Sequence, residues 1–337
     1  MLLRSLVLLF VGLCFNASTG TAAEKATPGA RVVKFFGYDD CIELTNKTTR
    51  VVLCPAAGGR VLVYALDGKN SLFLDESEKG FQYAPGKTAP MSAGRFDIGP
   101  EKIIPRHPLL WFARWTGEVT GPRTARLTSM KDEATGVQLV REFTLDAKST
   151  HLACRQTIRN VSKQTREWCH WSRTFALGNG IVAIPLSKRS RFPNHYVMYH
   201  PEGLINLAPK DDNIQIRDGF LEITDVPKYP KLGMDSKVGW FAYLMKNDIA
   251  FVKRYATYPN RVYNEVAGLT ISIWYPADRR VELEPIGPRE HLKPGESSSF
   301  TEYWWLLPYE YPEKNAQADL KKLSRLVDTQ TTAAKAD

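Results

Sequence analysis

The chain has 337 residues, of which 43% are hydrophobic, 11% aromatic and 24% charged, and its formal net charge is +9 at pH 7. This composition excludes an intrinsically disordered chain, a collagen-like fibre and an acidic tail, and it predicts a globular fold. At roughly 150 residues per domain the length suits two domains, but a β-sandwich can reach about 250 residues as one unit. The domain count therefore has to come from the pattern along the chain.

Residues 1–23 are typical of a signal peptide. Arg4 is their only charged residue, an apolar run follows from Ser5 to Phe15, and small residues of a cleavage site end at Ala23. The run is shorter than the ~18 residues that span a bilayer, and no later run approaches that length. We expect cleavage after Ala23 and a periplasmic or extracellular protein without a membrane span. A lipid anchor on Cys14 is the alternative.

The region from Val32 to about Pro308 has the pattern of an all-β protein. Short runs rich in β-branched and aromatic residues recur between Gly, Pro, Asn and Asp. Residues 137–145 and 152–158 alternate with period two, which predicts strands with one buried face. Residues 238–245 are apolar on both faces, which predicts a strand between two layers and hence two packed sheets.

Five dipeptides between these runs predict tight turns and antiparallel connections: Asn46-Lys47, Asp67-Gly68, Asn160-Val161, Asp218-Gly219 and Asn247-Asp248. No repeat or low-complexity linker divides the chain, so we predict one domain over residues 24–329.

One helix is predicted at the end of this domain. Ala316, Leu320, Leu323 and Val327 follow helical spacing after Pro312, which predicts a helix over about 313–328 that packs on the sandwich. Residues 330–337 are expected to form a disordered tail.

Four cysteines remain after signal cleavage: Cys41, Cys54, Cys154 and Cys169. In an oxidising compartment they could form two disulfides, Cys41–Cys54 and Cys154–Cys169, each of which spans a predicted turn. The alternative is four buried free thiols.

Metal and nucleic-acid sites are not expected. There is no Cys-x-x-Cys, and the six histidines show neither His-x-x-x-His nor HExxH spacing. Residues 188–191 hold the only tight basic cluster, without a recognition motif, so we expect no nucleic-acid partner. A basic surface could still attract acidic polysaccharides.

Long strands with aromatic side chains and scattered polar groups could frame a sugar site. Sugar rings present apolar C–H faces that stack on aromatic rings, and their hydroxyls need convergent donors and acceptors. Eight tryptophans are available, most of them expected in the core.

Four stretches, in order, resemble galactose mutarotase-like proteins, the aldose 1-epimerase superfamily. They are residues 41–74 around Pro55-Ala-Ala-Gly-Gly-Arg60, the dipeptide Gly94-Arg95, the segment 168–178 with the sequence WCHWSRTFALG, and the closing stretch of residues 281–305, which begins VELEPIGP. The resemblance spans roughly residues 32–308. It implies a β-supersandwich, so with the turns and helix predicted above we expect an all-β supersandwich of antiparallel sheets with a short C-terminal helix.

The resemblance also implies a chemistry. Such enzymes interconvert sugar anomers without a cofactor: a base takes the proton of the C1 hydroxyl while an acid protonates the ring oxygen. Matched by motif, Glu284 corresponds to the glutamate base and His170 to the histidine acid. Arg95 and His107 correspond to substrate contacts, and Glu282, Trp111 and Trp171 complete the candidate site.

Several motifs depart from the family pattern, among them Pro108-Leu109 where the family has two glycines. Three functional classes therefore stay open. The first is an exported sugar epimerase, and the second is a non-catalytic protein that binds a sugar or oligosaccharide in a concave groove. The third is a polysaccharide lyase or hydrolase domain, or a structural sandwich; a lyase base could come from residues 195–200. The epimerase hypothesis requires Glu284 and His170 to converge in one site.

Overall fold

The computed structural model describes residues 27–89, 91–314 and 316–331. The predicted signal peptide lies outside these ranges, and so do residues 332–337 of the predicted tail, whereas Gln330 is the last residue of a helix.

The described residues form 22 strands. In chain order they are β1 (Ala30–Phe35), β2 (Tyr38–Thr45), β3 (Thr49–Cys54), β4 (Arg60–Leu66), β5 (Lys69–Asn70), β6 (Gly94–Gly99), β7 (Thr116–Gly121), β8 (Thr124–Thr128), β9 (Val137–Leu145), β10 (Leu152–Asn160), β11 (Arg166–Leu177), β12 (Ile181–Pro185), β13 (Val197–Tyr199), β14 (Ile205–Asn206), β15 (Ile214–Arg217), β16 (Phe220–Ile223), β17 (Lys231–Met234), β18 (Trp240–Met245), β19 (Ile249–Tyr255), β20 (Ile271–Trp274), β21 (Arg280–Leu292) and β22 (Ser297–Pro308).

Two antiparallel sheets contain these strands. The larger sheet has the order β1-β2-β3-β4-β6-β11-β21-β20-β17-β13-β14, with β5 beside β4, and the smaller sheet has the order β15-β16-β12-β18-β19-β22-β10-β9-β8-β7. Buried side chains of both sheets, such as Phe96 and Leu283 of the larger and Phe241 and Phe300 of the smaller, form one cluster between them. This cluster is the core, and the predicted all-β sandwich is confirmed.

The predicted strand at residues 238–245 is observed as β18 and is buried on both faces, but only one face meets the other sheet. Phe241, Tyr243 and Met245 point into the core. Trp240, Ala242 and Leu244 pack instead beneath the C-terminal helix. The two-sided apolar pattern therefore reflects a sheet on one side and a helix on the other.

That helix, α2, begins at Leu320 rather than near residue 313 and ends at Gln330. The other α-helix of the described residues, α1, has four residues, Pro108–Trp111. The Asp319 side chain accepts a hydrogen bond from the Lys322 amide and caps the first turn of α2. Leu320, Leu323 and Val327 face the sandwich, as the spacing predicts. Among the described residues, no helix is long and apolar enough to cross a membrane.

Four of the five predicted turns join neighbouring antiparallel strands. At Asp67-Gly68 and Asp218-Gly219 both residues adopt positive φ, which is the conformation that a two-residue hairpin needs. The turn at Asn160-Val161 is different, because β10 belongs to the smaller sheet and β11 to the larger. The chain crosses between the layers there, which a turn signal alone does not distinguish from a hairpin.

The four cysteines are buried and free. Cys41 and Cys54 lie on paired strands, and the contact between their thiols raises the pKa of Cys41. Cys154 packs between the sheets, whereas Cys169 lies on the outer face of the larger sheet. The predicted Cys154–Cys169 pair is therefore not brought together.

Candidate functional site

Three neighbouring strands at the centre of the larger sheet, β6, β11 and β21, carry polar and aromatic side chains on its outer face, the face turned away from the smaller sheet. Residues two apart on a strand share a face. The register places Asp97 opposite Trp171 and Phe175 opposite Glu282. The outer face therefore presents Arg95 and Asp97 from β6, Trp171 and Arg173 from β11, and Glu282 and Glu284 from β21.

Arg173 lies at the centre of this cluster. Its Nε donates to Glu282 Oε1 at 2.8 Å and lies 3.3 Å from Glu284 Oε1, while Nη1 is 3.6 Å from Asp97 Oδ2. The guanidinium also lies 4.8 Å from the ring centroid of Trp111. Burial disfavours its charge, but the facing carboxylates outweigh burial and raise the pKa of Arg173. It is thus a permanent cation beneath an aromatic wall.

Glu284 is fully buried, and neither of its carboxyl oxygens has a hydrogen-bond partner within the protein. Although Arg173 lies within ion-pair distance, the geometry is not that of a hydrogen bond. Burial and the charge of Glu282 raise the pKa of Glu284 to about 8, against the opposing effect of Lys231 and Arg173. The raised pKa favours the protonated form of Glu284 at neutral pH, whereas Glu282 accepts a hydrogen bond from Arg173 Nε.

Lys231 of β17 approaches the cluster from the other side. Its Nζ donates to both oxygens of Glu101, at 2.9 and 2.8 Å, and lies 3.9 Å from Glu284 Oε2. It also lies 5.0 Å from the ring centroid of Trp171. The indole Nε1 of Trp171 is buried without a partner in the protein. Two unpartnered polar groups, one donor and one carboxyl, thus lie in the same cluster.

His107 holds Asp97 in place. Its Nε2 contacts Asp97 Oδ1 at 2.7 Å and its Nδ1 contacts the carbonyl oxygen of Pro105 at 2.7 Å. Both ring nitrogens face acceptors, so the imidazolium form satisfies both. Burial opposes this charge, but the ion pair with Asp97 prevails and raises the pKa of His107 to about 9. Because both nitrogens are engaged, His107 orients Asp97 and offers no free nitrogen to a ligand.

Trp111, at the end of α1, forms the wall of the site. Its carbonyl accepts a hydrogen bond from Arg95 Nη1 at 2.6 Å, and the Arg95 guanidinium lies 4.7 Å from its ring centroid. Gly58 of the Gly-Gly pair has φ +70°, and a Cβ there would lie 2.1 Å from the Trp111 carbonyl. The glycine therefore permits the close approach that seats α1. Arg95 is buried behind the wall.

A cavity of about 290 Å³ opens above this cluster, and we call it the central pocket. Asp97, His107, Trp111 and Arg173 line it together with apolar side chains of Met91, Ile104, Pro105, Pro108 and Phe112, while Glu101 and Arg106 complete its rim. Glu284 and Trp171 are not among its lining residues. In the described ranges, no three His, Cys, Asp or Glu side chains are grouped in a way that could hold a metal ion.

Solved structures share this architecture. No family model matches the sequence, and no curated protein matches it. The Slr1438 protein from Synechocystis sp. PCC 6803 is 14% identical with a TM-score of 0.57, over 82% of this chain and 99% of that chain. A galactose mutarotase-like protein from Lactobacillus casei is 10% identical with a TM-score of 0.55, over 79% of this chain and 100% of that chain. A galactose mutarotase related enzyme from Lactobacillus acidophilus is 11% identical with a TM-score of 0.55, over 81% of this chain and 100% of that chain.

The fold is galactose mutarotase-like. The resemblance stated from the four sequence stretches is thus confirmed at the level of the fold. Within this galactose mutarotase-like fold, six of the seven candidate residues lie on the same face of the larger sheet or on the loop above it: Arg95, His107, Trp111, Trp171, Glu282 and Glu284.

His170 is the exception. It precedes Trp171 on β11 and so points to the opposite face, into the core. Its ring stacks on Phe96 at 5.9 Å and on Phe300 of the smaller sheet at 5.8 Å, and Nε2 contacts the Ser298 carbonyl at 3.1 Å. Burial lowers the pKa of His170 to about 4. It is a neutral core histidine, so the expected convergence of Glu284 with His170 is not observed.

The other groups considered from sequence are also separated. Tyr196 packs in the core between the sheets, whereas Tyr199 lies on the outer face. His200 stacks on Tyr229. Tyr196 and Tyr199 therefore lie on opposite faces of the larger sheet, and of the two Tyr199 has Lys231 Nζ 5.6 Å from its ring centroid.

Sequence reasoning missed three side chains of the cluster. Asp97 and Arg173 each lie two residues beyond a named candidate, Arg95 and Trp171, so the period-two rule could have found them. Lys231 comes from a distant segment that carries no motif, and only the pairing of β17 with β20 brings it to Glu284.

Proposed function

We propose that the protein binds a sugar in the central pocket. The pocket combines an aromatic wall with charged groups at its floor, which is the chemistry that the two kinds of sugar surface require. Trp111 would stack on the C–H face of the ring. Asp97 and Arg173, both lining the pocket, would accept from and donate to its hydroxyls.

The observation that carries this proposal is the lining of the central pocket, where the Trp111 ring centroid lies 4.8 Å from the Arg173 guanidinium and Asp97 lines the same cavity. Behind this lining, the Glu284 carboxyl and the Trp171 indole N–H are buried without hydrogen-bond partners in the protein, Glu284 within ion-pair distance of Arg173 and Trp171 beside Lys231.

A second candidate function is interconversion of sugar anomers, and the raised pKa of Glu284 favours it. Environments that drive two carboxyl groups apart in pKa assign the acid and the base. Glu284 holds its proton at neutral pH, while Asp97, despite its burial, has a pKa lowered by His107. We assign Glu284 as the acid for the ring oxygen and Asp97 as the acceptor of the hydroxyl proton. Because Glu284 lies behind Arg173, this chemistry requires the Arg173 side chain to move aside.

Export is part of the same proposal. We propose that residues 1–23 direct the chain to a periplasm or to the exterior, where free and polymeric sugars are its ligands. N-terminal sequencing of the mature protein should begin at Glu24; a chain that retains Met1 would refute cleavage.

Calorimetric titration with glucose, galactose, mannose and other monosaccharides tests the binding proposal. Trp111→Ala should weaken the affinity about tenfold, which corresponds to about 1.4 kcal/mol. Trp240→Ala is the matched control, because Trp240 is buried beneath α2 away from the pocket. The absence of binding for every sugar tested, or an unchanged affinity in Trp111→Ala, would refute the proposal.

Polarimetry of freshly dissolved α-glucose and α-galactose tests the second candidate. The wild type should accelerate mutarotation, and both Glu284→Gln and Asp97→Asn should abolish the acceleration while retaining the fold. Binding without acceleration would leave a sugar-binding protein and exclude the epimerase.

A further inference from the structure

We propose that the ligand is an oligosaccharide, and that a second pocket on the outer face of the larger sheet binds a further sugar unit. This inference rests on the proposed sugar binding in the central pocket. The second pocket, which we call the distal pocket, has a volume of about 370 Å³ and is lined by Phe73, Leu74, Asp75, Glu76 and residues 278–280.

The two pockets lie along the same strands. On β21, Arg280 of the distal pocket is two residues from Glu282, so the two side chains share a face about 7 Å apart. On β11, Phe175 follows Arg173 by the same interval and pairs with Glu282. Arg280 of the distal pocket and Arg173 of the central pocket therefore lie on the same face of two adjacent, paired strands, β21 and β11.

One contact joins the walls of the two pockets. Arg280 Nη1 donates a hydrogen bond to the carbonyl of Met91 at 2.5 Å, and Met91 lines the central pocket. A lining residue of the distal pocket thus contacts a lining residue of the central pocket, so the two pockets are neighbours on this face.

The distal pocket has the chemistry of a sugar subsite. The Arg280 guanidinium is held among three rings, at 5.7 Å from the centroid of Phe73, 6.0 Å from Phe175 and 5.2 Å from Trp274. Asp278 accepts a hydrogen bond from its Nε at 2.9 Å. The charged side chains of the lining, Arg280 with Asp75, Glu76 and Asp278, can donate to and accept from sugar hydroxyls, while Phe73 offers an apolar surface.

The volumes of the two pockets also favour an oligosaccharide. The central pocket, at about 290 Å³, is just below the roughly 300–1,000 Å³ that small-molecule sites occupy, and the distal pocket, at about 370 Å³, is near its lower end. A ligand of two or three linked sugars would use both pockets, whereas a monosaccharide would leave the distal pocket unused. The charged groups of the distal pocket are mixed in sign, which favours a neutral chain over a polyanion.

Calorimetric titration with glucose, galactose and mannose, and with their α- and β-linked di- and trisaccharides, tests the inference. For one series the trisaccharide should bind at least tenfold more tightly than its monosaccharide. Leu74→Trp, which fills the distal pocket, should abolish this gain, and Arg279→Ala, which removes an exposed side chain of its lining, should reduce it. Both variants should keep the affinity for the monosaccharide.

Arg155→Ala is the matched control, because Arg155 is an exposed arginine on the smaller sheet. Equal affinities for monosaccharide and trisaccharide, or a gain that persists in Leu74→Trp, would overturn the distal subsite and leave the proposed function standing. Failure of every monosaccharide and oligosaccharide to bind would refute both.

Discussion

Substitution of Glu284 by Gln should change how the stability of the protein depends on pH. The carboxyl is fully buried, and its pKa is raised from an ordinary value of 4.5 to about 8. Between these two values the unfolded chain ionises Glu284 while the folded protein keeps it protonated. A group whose pKa is raised on folding contributes stability below its unfolded pKa, and that stability is lost as the pH rises through the folded pKa.

The magnitude follows from the shift. At 1.36 kcal/mol for each pKa unit, the shift to about 8 removes about 5 kcal/mol of unfolding free energy between pH 4.5 and pH 8. Gln has the same shape and does not ionise, so the unfolding free energy of Glu284→Gln should not show this loss between pH 4.5 and pH 8. The variant should therefore become more stable relative to the wild type as the pH rises through this window.

Urea denaturation at pH 5, 6, 7 and 8 measures this difference, because urea leaves the ionic strength unchanged. The control is Glu118→Gln, since Glu118 is an exposed carboxylate on the smaller sheet. A difference between Glu284→Gln and the wild type that stays constant from pH 5 to pH 8 would refute the raised pKa, and with it the assignment of Glu284 as an acid at neutral pH.

Three further predictions concern the site and its surroundings. His107→Gln should destabilise the protein by about 3 kcal/mol at pH 6 and by little above pH 9, because a His107 pKa raised to about 9 contributes stability that is present below pH 6.5 and is lost as the pH rises through 9. Thermal melts at both pH values measure the destabilisation, and an equal loss at both would contradict the prediction. His170→Ala should cost about 2–4 kcal/mol in urea as a core truncation and leave sugar affinity unchanged, whereas a lost affinity in a folded variant would return His170 to the site. If the protein is exported, Cys41 and Cys54 should form a disulfide worth about 3 kcal/mol; mass spectrometry after alkylation without reduction should find two free thiols, and four would count against it.

Local patterns in the sequence accounted for much of the fold. The alternation at 137–145 and 152–158 predicted β9 and β10, and the Asp-Gly pairs predicted two hairpins, because period-two burial and positive φ are properties of a few adjacent residues. The crossing at Asn160-Val161 was not predictable in this way. A polar turn looks the same whether the next strand joins its neighbour or the opposite sheet.

For the candidate site, too, local sequence determined some features and tertiary packing decided others. The sequence by itself determined which residues of a strand share a face, so Trp171 goes with Arg173, and Glu282 goes with Glu284. Only the tertiary structure decided which face meets the other sheet, because that depends on how distant strands pair and pack. His170 and Trp171 are adjacent, and each has a ring with a polar nitrogen, yet one is buried against Phe300 and the other lies beside Lys231. The outer face became the candidate site because the smaller sheet covers the opposite one.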